Sequence, residues 1–492
     1  MVPFQAWLPD IATFQTNVAT DAKNVIPHSS GYQPFQAFNA ITAALTARAR
    51  GAASFKGQSV GTVVTFAADE TKLYKLEASG LTWEDVSRSS GGAYAVPLDG
   101  RVNFLQFGDL VLSFNGADAT QAFTIGSSTD FAAATGSPPI ASYGGVIRGF
   151  AILARVSTQQ NRIKWSAIED ATDWVTSATT LSDAQDFPEG GPITGFVGGE
   201  YGIVFQEKAI QRMSFEGPPT VFRFDKLANN IGCPIGGTIA SHENLIFFRA
   251  EEGFHMIRGG SEIVPIGEEK IDEWFEDNFS ASYDYRCTSV VDPLRHLYML
   301  SFPSTASADG TPDTILVYDW KLGRWSYAKV TLEMIYAGMT QASYTIDTMD
   351  DVSATIDGLE YPVDSRFWSG SGQLYVAGFD TEHKQGFFSG TALEAIVETG
   401  DEQPVPGRLS LLRGLRPMIE GSSVTPTISI GYRKNLNESI SYTAPVPVNS
   451  TGFCPTRANG RYLRAKMTIP AASSWKFARG VDDLKISPMG GR

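Results

Sequence analysis

VNFLQFGDLVLSFNGADATQAFTI, residues 102–125, holds three short apolar runs separated by Gly108-Asp109 and Asn115-Gly116. Apolar and polar residues alternate within each run, which is the period of a strand with one face buried, and Asn-Gly favours the positive φ of a tight hairpin. The stretch therefore reads as a β-meander. Upstream, VVTFAADETKLYKL (63–76) repeats the scheme around the polar turn Ala68-Asp69-Glu70-Thr71, and LTWEDVS (81–87) adds a third strand. Downstream, further units begin near Gly144, Ile193, Thr238 and Thr288. The last of these ends in TILVYDWKLGRWSYA (314–328), with a hairpin turn inside Asp319–Trp325. A seventh unit covers 335–390 and contains RFWSGSGQLYVAGFD.

An isolated hairpin cannot bury both of its faces, whereas four-stranded sheets stacked radially can, and they leave only short protected edges. The predicted fold is all-β: a propeller of six to seven degenerate blades over 61–394, with an array of β-sandwiches as the competing arrangement. EQPVPGR (402–408) marks a Pro-rich boundary, after which TISIGYR (427–433) alternates again, so 395–492 reads as a separate β module. The N-terminal segment 1–60 is expected to pack with that module, and AFNAITAALTARARGAASF (37–55) permits either helix or strand. One helix is predicted, PIGEEKIDEWFEDNF (265–279). There Ile271, Trp274 and Phe275 share a face, and Glu268, Glu269, Asp272, Glu273, Glu276 and Asp277 make the remainder acidic.

The chain has 492 residues, 48 of them Gly and 26 Pro, and 42% are hydrophobic, which suits many short strands joined by turns. Its net charge of −14 conceals an asymmetry. Residues 403–492 carry 13 basic against 4 acidic residues, and 61–402 carry 22 against 47. The start MVPFQAWLPDIATFQ lacks the pattern of a signal peptide, and no run of apolar residues is long enough to span a bilayer, so a soluble chain without stable membrane binding is expected. Cys233, Cys287 and Cys454 are odd in number and far apart, which fits neither a disulfide framework nor a zinc cluster.

No phosphate-binding loop, metalloprotease helix, nucleophile elbow or dinucleotide fingerprint is present. His28, His242, His255, His296 and His383 fall in different units and read as hydrogen-bonded loop or strand residues. The carboxylate pairs Glu169-Asp170 and Asp350-Asp351 would suit glycoside hydrolysis, but such pairs arise by chance among 53 acidic residues. ASGLTWEDVS (78–87) lacks the Asp of the sialidase box, and Tyr283 and Tyr285 would stack on a sugar or pack internally. No catalytic, cofactor-binding or metal-binding residues are predicted, and the chain reads as a non-enzyme.

GYQPFQAFNAITAALTARARGAASF (31–55), followed by GTVVTFAADETKLYKL, resembles the N-terminal part of the tail nozzle proteins of short-tailed bacteriophages, also called tail tubular or packaged-DNA-stabilisation proteins. The resemblance continues through FGDLVLSFNGADATQAFTI, NRIKWSAIEDATDWV and HENLIFFRAEEGFHMIRGG and is weakest over the last ninety residues. It implies a structural virion protein assembled in the host cytoplasm. This would be a homohexameric tube below the portal and adaptor rings, meeting tail fibres or spikes, that retains packaged double-stranded DNA and opens for ejection. Under that reading the basic module docks on the neck through Arg408, Arg413, Arg416, Arg433, Lys434, Arg457, Arg461, Arg464 and Lys466, while acidic propeller surface lets DNA slide past. The linker 340–365 is the candidate gate. A glycan-binding or glycan-cleaving propeller of a tail tip and a non-viral scaffold propeller are the alternatives.

Overall fold

The stretch 102–125 forms three strands of one sheet, Asn103–Phe107, Leu110–Phe114 and Gln121–Thr124, with Ala132–Ala133 at the outer edge. Gly108 lies at φ 63°, a region that other L residues enter only with strain. Asn115-Gly116 does not make the two-residue hairpin expected of it. Asn115 Oδ1 accepts the N–H groups of Ala117 and Asp118 at 2.9 and 2.8 Å, and Gly116 donates its N–H to Ala141 of the next sheet at 2.8 Å. The turn thus joins two sheets, and the loop widens before Gln121.

The computed structural model describes residues 1–489 except 13, 15–17, 60, 78, 79, 341–354 and 356–372. Within it a four-stranded antiparallel sheet occurs six times, and the same four-stranded unit a seventh time at one end of a larger sheet. The first strands are Gly51–Lys56 (blade 1), Asn103–Phe107 (2), Ala141–Ile147 (3), Ile193–Val197 (4), Ala240–His242 (5), Thr288–Asp292 (6) and Met334–Met339 (7). Residues at the starts of all seven line one axial cavity, so the sheets close into a ring. The fold is a seven-bladed β-propeller. Blade 1 begins at Gly51, earlier than the boundary expected at 61. The candidate gate, residues 340 and 355 apart, lies outside the described residues, as does Asp350-Asp351.

Ring closure uses the N-terminal segment. Blade 7 is completed by Gln36–Ala44, which pairs antiparallel with Lys384–Ala392 in the register Phe38↔Phe388 and Ala40↔Gly386. Part of 1–60 therefore belongs to the propeller, and 37–55 is extended rather than helical. Aromatic rings fill the seams between blades. Phe66 has the rings of Phe104, Phe123 and Phe131 at 6.1, 5.1 and 5.2 Å, Phe222 meets Phe150 and Trp165 at 5.1 and 5.2 Å, and Phe247 stacks on Tyr298 at 5.1 Å. Each such side chain contributes about 1.5–3 kcal/mol by leaving water.

Blade 6 does not end at its fourth strand. Ala19–Lys23 joins it through the parallel pair Lys23↔Tyr327, and Ala395–Thr399, Tyr462–Ile469, Thr427–Arg433 and Ser441–Tyr442 follow in order. A second sheet, built on Ser474–Asp482 with Val25–His28, Gly31–Pro34 and Arg416–Ser423, shares a core with the first that includes Tyr32, Val397, Ile428, Met467, Trp475 and Ala478. The two sheets form a platform of N- and C-terminal segments. The same buried cluster runs into blades 5 and 6 through Trp7, Phe254 and Trp325, so platform and propeller share one core.

The helix spans Asp272–Asn278, later and shorter than the 265–279 expected. Its first amides are satisfied from a distance: Asp10 accepts the N–H groups of Glu273 and Trp274, both at 2.9 Å. Glu268 and Glu269 lie in the turn before it. Phe275 is buried, and Trp274 packs edge-on against Trp7 at 4.8 Å.

Candidate functional sites

The cations of the platform divide into an internal and an exposed set. Arg464 is 9% exposed and grips Asp401 through Nε and Nη2, both at 3.0 Å, while Arg433 reaches the same carboxylate from the neighbouring strand. Lys466 lies over the Tyr442 ring at 5.4 Å, and the Tyr442 hydroxyl donates to Glu398 at 2.6 Å. Burial alone would lower the Arg464 pKa, but the Asp401 carboxylate holds it above its ordinary value; burial pushes Glu398 up. Arg433 and Arg464 tie strands together and cannot dock a partner, a correction to their place among the neck-facing candidates. A buried ion network and a basic docking face look alike in a charge count.

Arg408, Arg413, Lys434 and Arg457 are exposed, and Arg461 is half-buried. A small sheet aligns two of them. Ser410–Leu412 lies between Ala458–Gly460 and Ile486–Pro488, and the pairs Leu412↔Ala458 and Leu412↔Ile486 bring the next residues, Arg413, Arg457 and Lys485, side by side at one end. Arg416 is held at the Thr451 carbonyl and lies 3.9 Å from Asp483. Of the acidic candidates, Glu268, Glu269, Glu273 and Asp277 are exposed. Glu276 is ion-paired with Arg249, and Asp272 accepts the Phe254 N–H at 3.1 Å, with burial pushing its carboxyl up. Two of the six predicted acidic residues are therefore structural.

The suspected chemistry-bearing residues remain apart. Asp170 closes its own turn by accepting from the Thr172 N–H at 2.8 Å, and His383 Nδ1 lies 2.6 Å from Glu333. His242 and His296 flank Trp320, and the three cysteines are buried and free.

The sequence reading missed a basin on the propeller axis, with a volume of about 740 Å³. Arg48, Arg50, Arg101, Arg155 and Arg286 line it, with Asp99, Asp284 and Glu333 as its carboxylates. Arg101 donates from Nε and Nη2 to the Tyr285 carbonyl at 3.3 and 2.8 Å and also bonds the Cys287 carbonyl. It is covered by Gly237, where a Cβ would come within 2.4 Å of Nη2, so only glycine lets the chain cross there. Arg286 donates to Thr311 Oγ1 at 3.2 Å, and Arg50 donates to the Leu98 carbonyl at 2.5 Å. Of the five, only Arg50 has a carboxylate at ion-pair distance among the described residues, Glu70 at 3.7 Å. Burial, with Arg50 and Arg286 nearby, pushes the Arg48 guanidinium down to about 10. A signal was present: Arg50, Arg101 and Arg286 each stand one or two residues before the first strand of a blade.

The fold and its surfaces define a propeller fused to a basic β platform. No family model matches the chain, and no curated protein matches it. Among solved structures, a chain of the "Crystal Structure of Mitotic Checkpoint Complex" is 8% identical, with 77% of this chain and 96% of that one covered and a TM-score of 0.37. The "Crystal Structure of the N-terminal Domain of Nup159" is 10% identical, with 74% and 98% covered and a TM-score of 0.37.

Proposed function

We propose that the chain is a structural subunit of the tail nozzle of a short-tailed bacteriophage, six copies of which extend the channel of the portal and adaptor, retain packaged DNA and open for ejection. The observation that carries this reading is the single sheet running from blade 6 into the platform, which welds an acidic propeller to a basic module as one body. A tube that holds a genome under pressure needs subunits that transmit load between the ring above and the wall below without a hinge, and a continuous sheet with a shared core supplies that. The exposed pair Arg413 and Arg457 at one end of the small sheet suits an acidic docking partner, while the neighbouring Lys485 is paired with Asp483 at 2.6 Å.

The test is electron microscopy of the purified protein mixed with portal and adaptor rings. Sixfold rings capping the adaptor with the platform against it are expected, and an Arg413→Glu/Arg457→Glu variant should fail to cap. Chains that stay monomeric beside intact adaptor rings would overturn the proposal.

A further inference from the structure

We propose that the axial basin of the propeller is a binding site for a small phosphate polyanion of the pyrophosphate class, either free or as the phosphate chain of a nucleotide. Five guanidinium groups converge on it: Arg48 and Arg50 ahead of blade 1, Arg101 ahead of blade 2, Arg155 at a bulge in the second strand of blade 3 and Arg286 ahead of blade 6. Arg101 and Arg286 are held by neutral oxygens, which orient the fork, and neither has a carboxylate at ion-pair distance among the described residues. Arg48 and Arg155 make no hydrogen bond or close ion pair among the described residues; Glu333 attracts Arg48 from a distance, but its carboxylate is already engaged by the Ala49 N–H at 2.9 Å and by His383. The basin therefore carries an excess of positive charge inside a propeller whose surface is otherwise acidic.

Planar guanidinium forks match phosphate oxygens in pairs, and a volume of about 740 Å³ falls among small-molecule sites. Burial first, and then the nearby Arg50 and Arg286, disfavour the charged form of Arg48, and a bound polyanion would relieve both. The inference is independent of the nozzle reading, since it concerns the isolated chain.

The test is titration calorimetry of the full chain with sodium pyrophosphate, with ATP and, as control, with sodium chloride at matched ionic strength. Pyrophosphate should bind at one site per chain with a dissociation constant below about 1 mM, and Arg48→Ala/Arg155→Ala should weaken it at least about tenfold. Neither side chain supports the fold through a hydrogen bond among the described residues, so the variant should keep the wild-type melting temperature; should it unfold early, Arg155→Ala alone provides the same readout with a smaller loss. Binding of ATP as well as pyrophosphate would assign the nucleotide, and binding of pyrophosphate alone would assign the free anion. No heat beyond the chloride control, or binding unchanged in both variants, would overturn the proposal.

Discussion

Asp401 shows how much one residue can hold in this molecule. Its side chain is 1% exposed and receives Arg464 from one strand and Arg433 from the next. Removing Asp401 leaves Arg433 without an ion-pair partner among the described residues and Arg464 with only Glu398 at 3.7 Å, and breaking a buried ion group in this way costs about 3–5 kcal/mol. Asp401→Ala should destabilise the platform by that amount in urea unfolding, and replacing Asp401, Arg433 and Arg464 together with apolar residues should recover most of it. A loss below about 1 kcal/mol for the single variant would mean the network is solvated. Glu398 offers a second check through pH. Burial raises its carboxyl pKa above the ordinary value, so the native state holds the proton more tightly than the unfolded chain does. Its contribution is most favourable below the ordinary carboxyl value, and stability falls as pH rises through the raised one. Glu398→Gln should flatten that part of the stability profile relative to wild type. A profile that runs parallel in the two proteins would show that the group is not perturbed.

Among the elements, the strand Gln36–Ala44 does the most for its length. It is the outer strand of blade 7 and is reached from across the chain, with Thr42 Oγ1 accepting both the Gln385 N–H at 3.0 Å and the Trp83 indole N–H at 3.2 Å. One threonine thereby fastens blade 7 to blade 1. Without the strand, Lys384–Ala392 becomes a free edge bearing Phe387 and Phe388, which invites pairing with other chains. A chain lacking residues 36–44, with a flexible linker in their place, should form soluble aggregates by size-exclusion chromatography. A monodisperse monomer of wild-type melting temperature would show that closure does not depend on this strand. A short helix such as Asp272–Asn278 is marginal alone, and it persists because Asp10 caps it and Trp7 packs on Trp274.

For the whole molecule, the decisive feature is that platform and propeller share one core. Two bodies joined by a linker would unfold separately, whereas the cluster from Trp7 through Trp325 to Met467 crosses the junction. Calorimetry should give a single main transition. Two well-separated transitions would mean that the parallel pair Lys23↔Tyr327 is a weak seam. Charge acts on the same scale: an acidic propeller and a net charge of −14 predict negligible affinity for duplex DNA at physiological salt, because counterion release needs many lysine or arginine contacts with phosphate.

Much of the fold was legible because strand patterning is local. Alternation with a period of two, and turn residues between runs, identify Leu110–Phe114 or Arg324–Ala328 without reference to the remaining chain. The need to bury both faces of each sheet then leads to a ring. Pairings between distant segments are not written in a local pattern, since Gln36–Ala44 would alternate alike against the C-terminal module or against blade 7. The same reason hid the basin: Arg48, Arg101, Arg155 and Arg286 are surface-like residues in sequence and become neighbours only when seven blades close around an axis. It also misassigned Arg433 and Arg464, whose partner Asp401 is distant in sequence. The sequence by itself determined strands, turns and charge balance, which depend on neighbours along the chain. Tertiary structure alone decided which charges are buried together and where the ring closes, because those depend on contacts between segments hundreds of residues apart.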